Sequence, residues 1–174
     1  MRFVSAGATR IPMPRWWVLG AMLVACRTTP ELSADPPATN DAAVQPANIE
    51  PWNPAGIDWQ PFDEGLALAK KQGKRVCLVL FTTWCPHCKS YSRVFADPRL
   101  VARAKDFVMI RLDADLNDAV AKRYSPDGGY VPRTFILDSD GNIQPGAVSD
   151  NPRYKHFFDE SRADSLLRAM NVTP

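Results

Sequence analysis

The chain has 174 residues, and its 21 lysines and arginines against 19 aspartates and glutamates give a formal charge of +2. This length accommodates one ordinary domain with extensions. Three of the basic residues, Arg2, Arg10 and Arg15, precede Cys26 in a segment that contains no acidic residue. The rest of the chain is therefore close to neutral and has no basic aromatic patch, so we expect no nucleic-acid partner.

The first 25 residues have the pattern of an export signal. The uncharged stretch WWVLGAMLVA, residues 16–25, follows the arginines. As a helix it would span about 15 Å, half of a bilayer's hydrocarbon core, which is too short for a transmembrane segment but typical of a signal peptide. Leu23-Val24-Ala25-Cys26 resembles the lipobox of bacterial lipoproteins, in which the cysteine is lipidated and becomes the first mature residue. We therefore predict a lipoprotein signal peptide over residues 1–25 and lipidation of Cys26. The alternative is an ordinary signal peptide in which this cysteine is incidental.

Residues 26–50 are predicted to form a flexible tether. They are rich in proline, alanine, threonine and aspartate, with no aromatic residue and no periodicity, so they cannot bury enough apolar surface to fold. A lipid anchor followed by a tether would hold residues 51–174 beside a membrane without embedding them. We expect a bacterial envelope protein that faces the periplasm. The membrane that carries the anchor is left open, as is the choice of Met1 or Met13 as the first residue.

Hydrophobic patterns from Pro51 onward predict alternating helices and strands. Helices are expected over residues 60–72, 89–95, from 98 onward, 116–124 and 161–170. Buried strands are expected over residues 75–81, 107–112 and 133–137, and a hairpin turn at Asp140-Gly141 predicts a further short strand over residues 142–144. Gly73 should end the first helix, and Asp97-Pro98 should begin the third. This alternation predicts an α/β domain over residues 51–174, with a central mixed sheet flanked by helices.

The motif CPHC, residues 85–88, directly follows the predicted strand over residues 75–81 and opens a helix. The unpaired N–H groups and partial positive charge of a helix N-terminus favour a thiolate over a thiol. Cys85 should lie at this terminus and be relatively exposed, whereas Cys88 should lie one turn further on and be shielded. We therefore assign attack to Cys85 and resolution of the mixed disulfide to Cys88.

The two residues between the cysteines should tune the redox couple. Pro86 suits the first helical turn, where its missing N–H costs nothing. A protonated His87 would add a positive charge near the Cys85 sulfur. Stabilising the thiolate stabilises the reduced form, so the disulfide becomes a stronger oxidant, and we expect a potential between about −120 and −200 mV.

Other interpretations of the four cysteines are weaker. A structural disulfide between Cys85 and Cys88 would close too short a loop to contribute much stability. A tetrahedral metal site would need ligands beyond these cysteines and His87, and His156 is the only other histidine. Cu(I) held by the two thiolates stays an alternative, although we expect no metal and no cofactor. Cys77, within a predicted strand, is expected to be a buried apolar residue.

The motif WCPHCK after a strand, with Val131-Pro132 before another strand, resembles the thioredoxin fold. The Pro-His pair is similar to that of the DsbA family of bacterial periplasmic disulfide oxidases. In thioredoxin-like proteins the matching proline is cis and lies against the active-site disulfide, so the resemblance implies this catalytic role for Pro132. The backbone at Val131 would then be free to pair with an extended client segment.

Residues 57–170 also resemble the small thioredoxin-domain proteins of the anterior gradient family of the endoplasmic reticulum. The stretches that carry this resemblance are IDWQPFDEGLALAKKQGK, TTWCPHCK, SPDGGYVPRTFILDSDGNI and NPRYKHFF. Those proteins act on thiols and disulfides of secretory clients, and some of them lack one cysteine, whereas this chain has both Cys85 and Cys88. The C-terminus, NVTP, is unlike the retention signal KDEL. With the lipobox-like Cys26, this leads us to expect a bacterial envelope version of the family.

Further residues around the motif bear on client binding and on the direction of electron transfer. We expect Trp84, at the rim of the site, and Pro86, Tyr130 and Val131 to contact clients. Many thioredoxins place a buried acid six residues before the first cysteine, and here that position is Val79. The usual proton acceptor for the second cysteine is then missing, which puts fast turnover as a reductase in doubt.

Together these features predict a monomeric, exported thiol–disulfide oxidoreductase that is anchored through lipid alone and oxidises or isomerises cysteine-containing client proteins. Disulfide exchange needs no cofactor, but a redox partner must reset the Cys85–Cys88 pair. Two alternatives are a dedicated envelope reductase, for instance in cytochrome maturation, and a copper-handling or client-binding module without turnover. The presence of both cysteines weighs against a purely adhesive or chaperone-like role.

Overall fold

The computed structural model describes residues 51–173. The predicted signal peptide, the tether and the Cys26 lipidation site lie outside these residues. No helix within residues 51–173 combines the length and the apolar character needed to cross a bilayer.

The described residues form an α/β arrangement with the expected element order. The strands are β1 (Trp59–Gln60), β2 (Arg75–Phe81), β3 (Phe107–Asp113) and β4 (Arg133–Leu137). The α-helices are α1 (Phe62–Gln72), α2 (Pro86–Tyr91), α3 (Pro98–Ala104), α4 (Asp118–Arg123) and α5 (Asp164–Met170), with a 3₁₀ segment at Ser92–Ala96 between α2 and α3. Strands β2 and β4 have the predicted bounds, and β3 is one residue longer than predicted.

The four strands form one mixed sheet in the order β1-β3-β2-β4. Strands β1 and β2 both pair with β3 in parallel, and β4 pairs with β2 in antiparallel fashion. Cys77, in the middle of β2, is thereby flanked by Met109 on one side and by Ile136 on the other. The predicted fold class, a mixed sheet flanked by helices, is confirmed.

The central strand β2 separates two hydrophobic cores because successive side chains point to opposite faces of the sheet. Cys77 and Val79 contribute to the core that includes buried residues of α2, α3 and α5. Val76, Leu78 and Leu80 contribute to the other core, which lies against α1. All five side chains are fully buried, so the prediction that Cys77 is a core residue is confirmed.

Local signals position the helices that flank the sheet. Gly73 ends α1 in the left-handed conformation, with φ of 62°. Asp97 caps α3 by accepting a hydrogen bond from the Arg99 N–H at 2.8 Å, and Pro98 takes the first helical position, as predicted. Gly65 lets α1 approach β3 closely, because a Cβ atom at Gly65 would lie 2.6 Å from Cδ1 of Ile110.

The helix expected over residues 89–95 is wrong in its bounds. Helix α2 begins at Pro86 and gives way to the 3₁₀ segment at Ser92. The backbone carbonyls of Ser92 and Phe95 accept hydrogen bonds from the Trp52 N–H and the Asn53 side chain, at 3.3 and 3.0 Å. These partners lie far away in sequence, so the local pattern gave no sign of them.

The strand expected over residues 142–144 is also wrong, since only Ile143 forms a bridge, with Leu137. Pro145 follows directly and has no N–H to extend the ladder. Strand β1 is only two residues long and was not predicted, because so short a strand shows no alternation. Helices α4 and α5 begin two and three residues later than predicted.

Candidate active site

The CPHC motif lies where β2 ends and α2 begins. Cys85 is the N-cap residue of α2, and its sulfur accepts a hydrogen bond from the Cys88 N–H at 3.1 Å. Pro86 occupies the first helical position, where no donor is lost. The Cys85 sulfur therefore accepts one of the free N–H groups of the helix terminus.

Both cysteines of the motif are free thiols and both are largely buried. Cys85 is only 5% exposed and Cys88 is 2% exposed, so the expectation that Cys85 would be relatively exposed is wrong. The carbonyl oxygen of Val131 lies 3.7 Å from the Cys85 sulfur and covers it from the side of β4. Cys85 is nevertheless slightly more exposed than Cys88.

Cys88 is held in its protonated form. Burial, followed by the hydrogen bond with the Cys85 side chain, raises the pKa of the Cys88 thiol to about 12. The backbone of Thr82 acts in the opposite direction and lowers this pKa. At neutral pH, Cys88 must therefore lose a proton before it can attack a mixed disulfide.

The loop before β4 faces the motif. The peptide bond between Val131 and Pro132 is cis, and Pro132 is buried. Trp84, which directly precedes the motif, is 69% exposed, and its indole N–H donates to the Asp115 carboxylate at 2.6 Å. Pro86 is also exposed. These positions place the predicted client-contacting residues around Cys85.

Arg133 holds this loop in place, a role that the sequence pattern did not indicate. Its buried guanidinium donates to the backbone carbonyls of Ala121, Tyr124 and Tyr130, at 2.6, 2.9 and 2.7 Å. Burial lowers the pKa of Arg133 from its ordinary value. The side chain ties the end of α4 to the residues that lead into Val131.

His87 has an acidic partner that sequence analysis missed. Its Nδ1 lies 2.9 Å from the Glu160 carboxylate, and its ring packs edge-on against Phe157 at a centroid distance of 5.9 Å. Glu160 lies 73 residues away, so no local pattern pointed to it. The carboxylate offsets the positive charge that a protonated His87 would otherwise direct at Cys85.

An open groove of about 370 Å³ runs beside the motif on the Val131 side. It is lined by His87, Tyr130, Val131, Asn151, Tyr154 and Phe157. The Tyr130 hydroxyl donates to Asp127 at 2.6 Å and accepts from the His156 backbone N–H at 3.0 Å. Tyr130 is thus fixed as a wall of the groove, and its contact with clients stays a prediction.

His156, the second histidine of the chain, is buried and packs against a neighbouring aromatic ring. Its ring lies over Phe135 at 4.3 Å, its backbone carbonyl accepts from Thr134, and burial lowers its pKa. Within residues 51–173, no three His, Cys, Asp or Glu side chains come together in a way that could hold a metal ion.

Residues 58–139 match the family model described as thioredoxin-like. The chain is 27% identical to anterior gradient protein 3 of Xenopus tropicalis, over 66% of this chain and 70% of that protein. It is 32% identical to the anterior gradient protein 2 homolog of Homo sapiens, over 50% of this chain and only 49% of that protein. A thioredoxin from Thermus thermophilus is a solved structure with 27% identity and a TM-score of 0.42, covering 47% of this chain and 64% of that one. Residues 58–139 therefore form a thioredoxin-like domain of the predicted fold class, with the paired thiols Cys85 and Cys88 at the start of α2.

Proposed function

We propose that the protein exchanges disulfides with cysteine-containing client proteins in the bacterial cell envelope, as an oxidase or isomerase. The observation that carries this proposal is the environment of the Cys85 sulfur. That sulfur accepts the Cys88 N–H at 3.1 Å, while Cys88 lies behind it with a raised pKa. Cys85 is thus placed to act as nucleophile and leaving group, and Cys88 stays a thiol until it resolves the mixed disulfide.

In the oxidising direction the Cys85–Cys88 disulfide is the electron acceptor. A client thiolate attacks the Cys85 sulfur, the Cys85–Cys88 bond breaks, and Cys88 leaves as a thiolate that takes up a proton. A second client thiolate then attacks the client sulfur of the mixed disulfide and releases Cys85 as a thiolate. The client gains one disulfide, and the protein ends as the free dithiol seen in the structure.

In the isomerising direction the dithiol acts first. The Cys85 thiolate attacks a client disulfide and forms a mixed disulfide, and one client sulfur leaves as a thiolate. If another client thiol resolves this species, the client has been isomerised. If Cys88 attacks instead, the client leaves reduced and the protein becomes oxidised.

The His87–Glu160 pair moves the expected potential away from the most oxidising values. A lone imidazolium would stabilise the Cys85 thiolate, but a carboxylate 2.9 Å from the ring cancels part of that field. This favours the isomerase end of the proposal and gives support to the alternative, a dedicated envelope reductase. Equilibration with a glutathione buffer discriminates between them, since a value near about −270 mV would indicate a reductase.

The envelope location is proposed on the residues before the described domain. Cys26 ends a lipobox-like sequence, and residues 27–50 have the composition of a tether. Metabolic labelling with a radioactive fatty acid should mark the full-length protein. Cys26→Ser should abolish the label and release the protein from the membrane fraction, and a labelled Cys26→Ser variant would contradict the proposed anchor.

The function itself is tested by trapping. A full-length Cys88→Ala variant cannot resolve the mixed disulfide, so it should accumulate client proteins linked to Cys85 that a reducing agent releases. The matched control is the Cys85→Ala, Cys88→Ala double variant, which has no nucleophile in the motif. If the single variant retains no more protein than the double variant, the proposed exchange with client proteins is wrong.

A further inference from the structure

The groove of about 370 Å³ beside Val131 adjoins the reactive sulfur. The Val131 carbonyl oxygen lies 3.7 Å from the Cys85 sulfur, and His87, at the other side of the groove, follows Cys85 by two residues. The volume falls within the range of about 300–1,000 Å³ that is typical of sites for bound groups. A client that is joined to Cys85 in a mixed disulfide therefore has its neighbouring residues at the mouth of this groove.

Aromatic rings make up most of the groove wall. The Tyr130 ring centroid lies 4.7 Å from that of Tyr154 and 6.5 Å from that of Phe157. None of the lining residues carries a carboxylate or an ammonium group. An acidic side chain in the groove would lose its water and meet no cation except His87, which already faces Glu160. An apolar ring, in contrast, would pack against rings on several sides, so the wall favours an aromatic occupant.

The wall is already formed in the free protein, because the segment 149–158 holds its own shape. The Asn151 side-chain oxygen accepts hydrogen bonds from the backbone N–H groups of Arg153 and Tyr154, at 3.0 and 2.9 Å. The Phe157 N–H donates to the Tyr154 carbonyl at 3.1 Å. An occupant therefore binds to rings that are already in position, and little of its binding energy is lost in ordering them.

Two features indicate that the occupant belongs to an extended polypeptide. Within residues 51–173, the Val131 backbone makes no hydrogen bond to another backbone group, so it is free to pair with a client segment. The groove is also open, and it shares Asn151 and Phe157 with a neighbouring cavity of about 270 Å³. A chain that places one side chain in the groove can therefore continue past it on either side.

We propose that the groove selects clients in which an aromatic residue stands within two positions of the reactive cysteine, and that Tyr154 and Phe157 determine this preference. The proposal rests on the proposed disulfide exchange and names the class of client that it acts on. Successive side chains of an extended chain point to opposite faces, so the one that enters the groove belongs to a residue one or two positions from the cysteine bound to Cys85.

The preference is measured by exchange between the full-length Cys88→Ala protein and short peptides that carry one cysteine joined to nitrothiobenzoate. The Cys85 thiolate attacks the peptide sulfur, the peptide disulfide breaks, and nitrothiobenzoate leaves as a coloured thiolate. The Cys85→Ala, Cys88→Ala double variant gives the background from other thiols. The peptides carry phenylalanine, alanine or aspartate at each of the two positions before and after the cysteine. Phe157→Ala and Tyr154→Ala are tested in the Cys88→Ala background, and Leu116→Ala, an exposed apolar residue outside the groove, is the matched control.

At one or more of the four positions, phenylalanine should raise the second-order rate constant roughly tenfold over alanine, because its ring leaves water for the groove. Aspartate should lower the rate constant below that of alanine. Phe157→Ala and Tyr154→Ala should each bring the ratio of the phenylalanine rate to the alanine rate towards one, and Leu116→Ala should leave this ratio unchanged. Phe157→Leu keeps an apolar wall, so it should retain part of the preference.

Equal rates for phenylalanine and alanine at all four positions would overturn the proposal, even where the Cys88→Ala variant traps clients. It would also be overturned if Phe157→Ala and Tyr154→Ala slowed all peptides alike and left the ratio unchanged, since that result indicates a purely structural role. The proposed exchange can fail separately. A phenylalanine peptide with serine in place of cysteine cannot exchange, so its binding, measured by fluorescence anisotropy, reports on the groove alone. If this peptide binds the wild type and Phe157→Ala weakens the binding, the groove is supported even if no client is trapped.

Discussion

Arg133→Met tests the view that one buried side chain holds the loop beside Cys85. The guanidinium donates to three backbone carbonyls within 2.6–2.9 Å, and methionine of similar length donates to none. Two of these three bonds are buried, so two carbonyls would be left without a partner. Each such group costs about 1–3 kcal/mol, or about 2–6 kcal/mol for both.

Part of this loss is recovered, because the folded protein no longer has to remove a charged group from water. We therefore expect Arg133→Met to lower the free energy of unfolding by about 3 kcal/mol, a large share of the 5–15 kcal/mol typical of a domain. Urea unfolding followed by fluorescence measures this change as a lower midpoint with an unchanged slope. Arg133→Lys keeps the charge but lacks the planar fork that reaches three acceptors, so it should fall between the wild type and Arg133→Met.

The same variant should weaken the site. Since the Tyr130 carbonyl loses its donor, the segment that carries Val131 should become less ordered, and the rate of reaction of Cys85 with a client peptide should fall by more than the unfolded fraction explains. A destabilisation of less than 1 kcal/mol, with unchanged reactivity of Cys85, would refute the reasoning for Arg133.

Three further predictions follow from specific contacts. Glu160→Gln removes the carboxylate that faces His87, so the disulfide should become more oxidising. Because the pair is partly exposed, we expect less than a tenfold change in the glutathione equilibrium, which is about 30 mV. The effect should vanish in a His87→Gln background, and a full effect there would show that it does not act through the histidine. Gly65→Ala brings a methyl group to within 2.6 Å of Ile110 Cδ1, so it should lower the free energy of unfolding by about 1–3 kcal/mol, measured by thermal unfolding. This loss should exceed the gain from the better helix propensity of alanine. A stabilised variant would show that α1 can move away from β3. Burial raises the pKa of Cys77 to about 12, so the folded state keeps a proton that the unfolded chain loses near about 8.5. The resulting contribution to the free energy of unfolding is complete below about pH 8.5 and is lost as the pH rises towards 12. In urea unfolding at several pH values, Cys77→Ala should therefore lose stability less steeply with pH than the wild type, and equal slopes would contradict this.

Some features followed from short stretches of sequence alone. Apolar runs of strand length predicted β2 and β4 with their observed bounds, since a strand buried on both faces needs an uninterrupted apolar run. Asp97-Pro98 and Gly73 predicted the start of α3 and the end of α1, because capping depends on one or two neighbouring residues. The CPHC motif directly after β2 predicted where the paired thiols would lie.

Other features depend on residues that are distant in sequence and meet only in the folded chain. Glu160 faces His87 and Arg133 holds three carbonyls of the segment 121–130, although no local pattern announces either contact. The burial of Cys85 beneath the Val131 carbonyl has the same origin, since it depends on how the loop before β4 lies against α2. The amino-acid sequence thus determined the elements and the reactive pair, because these depend on local periodicity and on neighbours within one helical turn. Only the tertiary structure decided the burial of Cys85 and the partner of His87, because hydrogen bonding and charge there are set by residues 46 and 73 positions away.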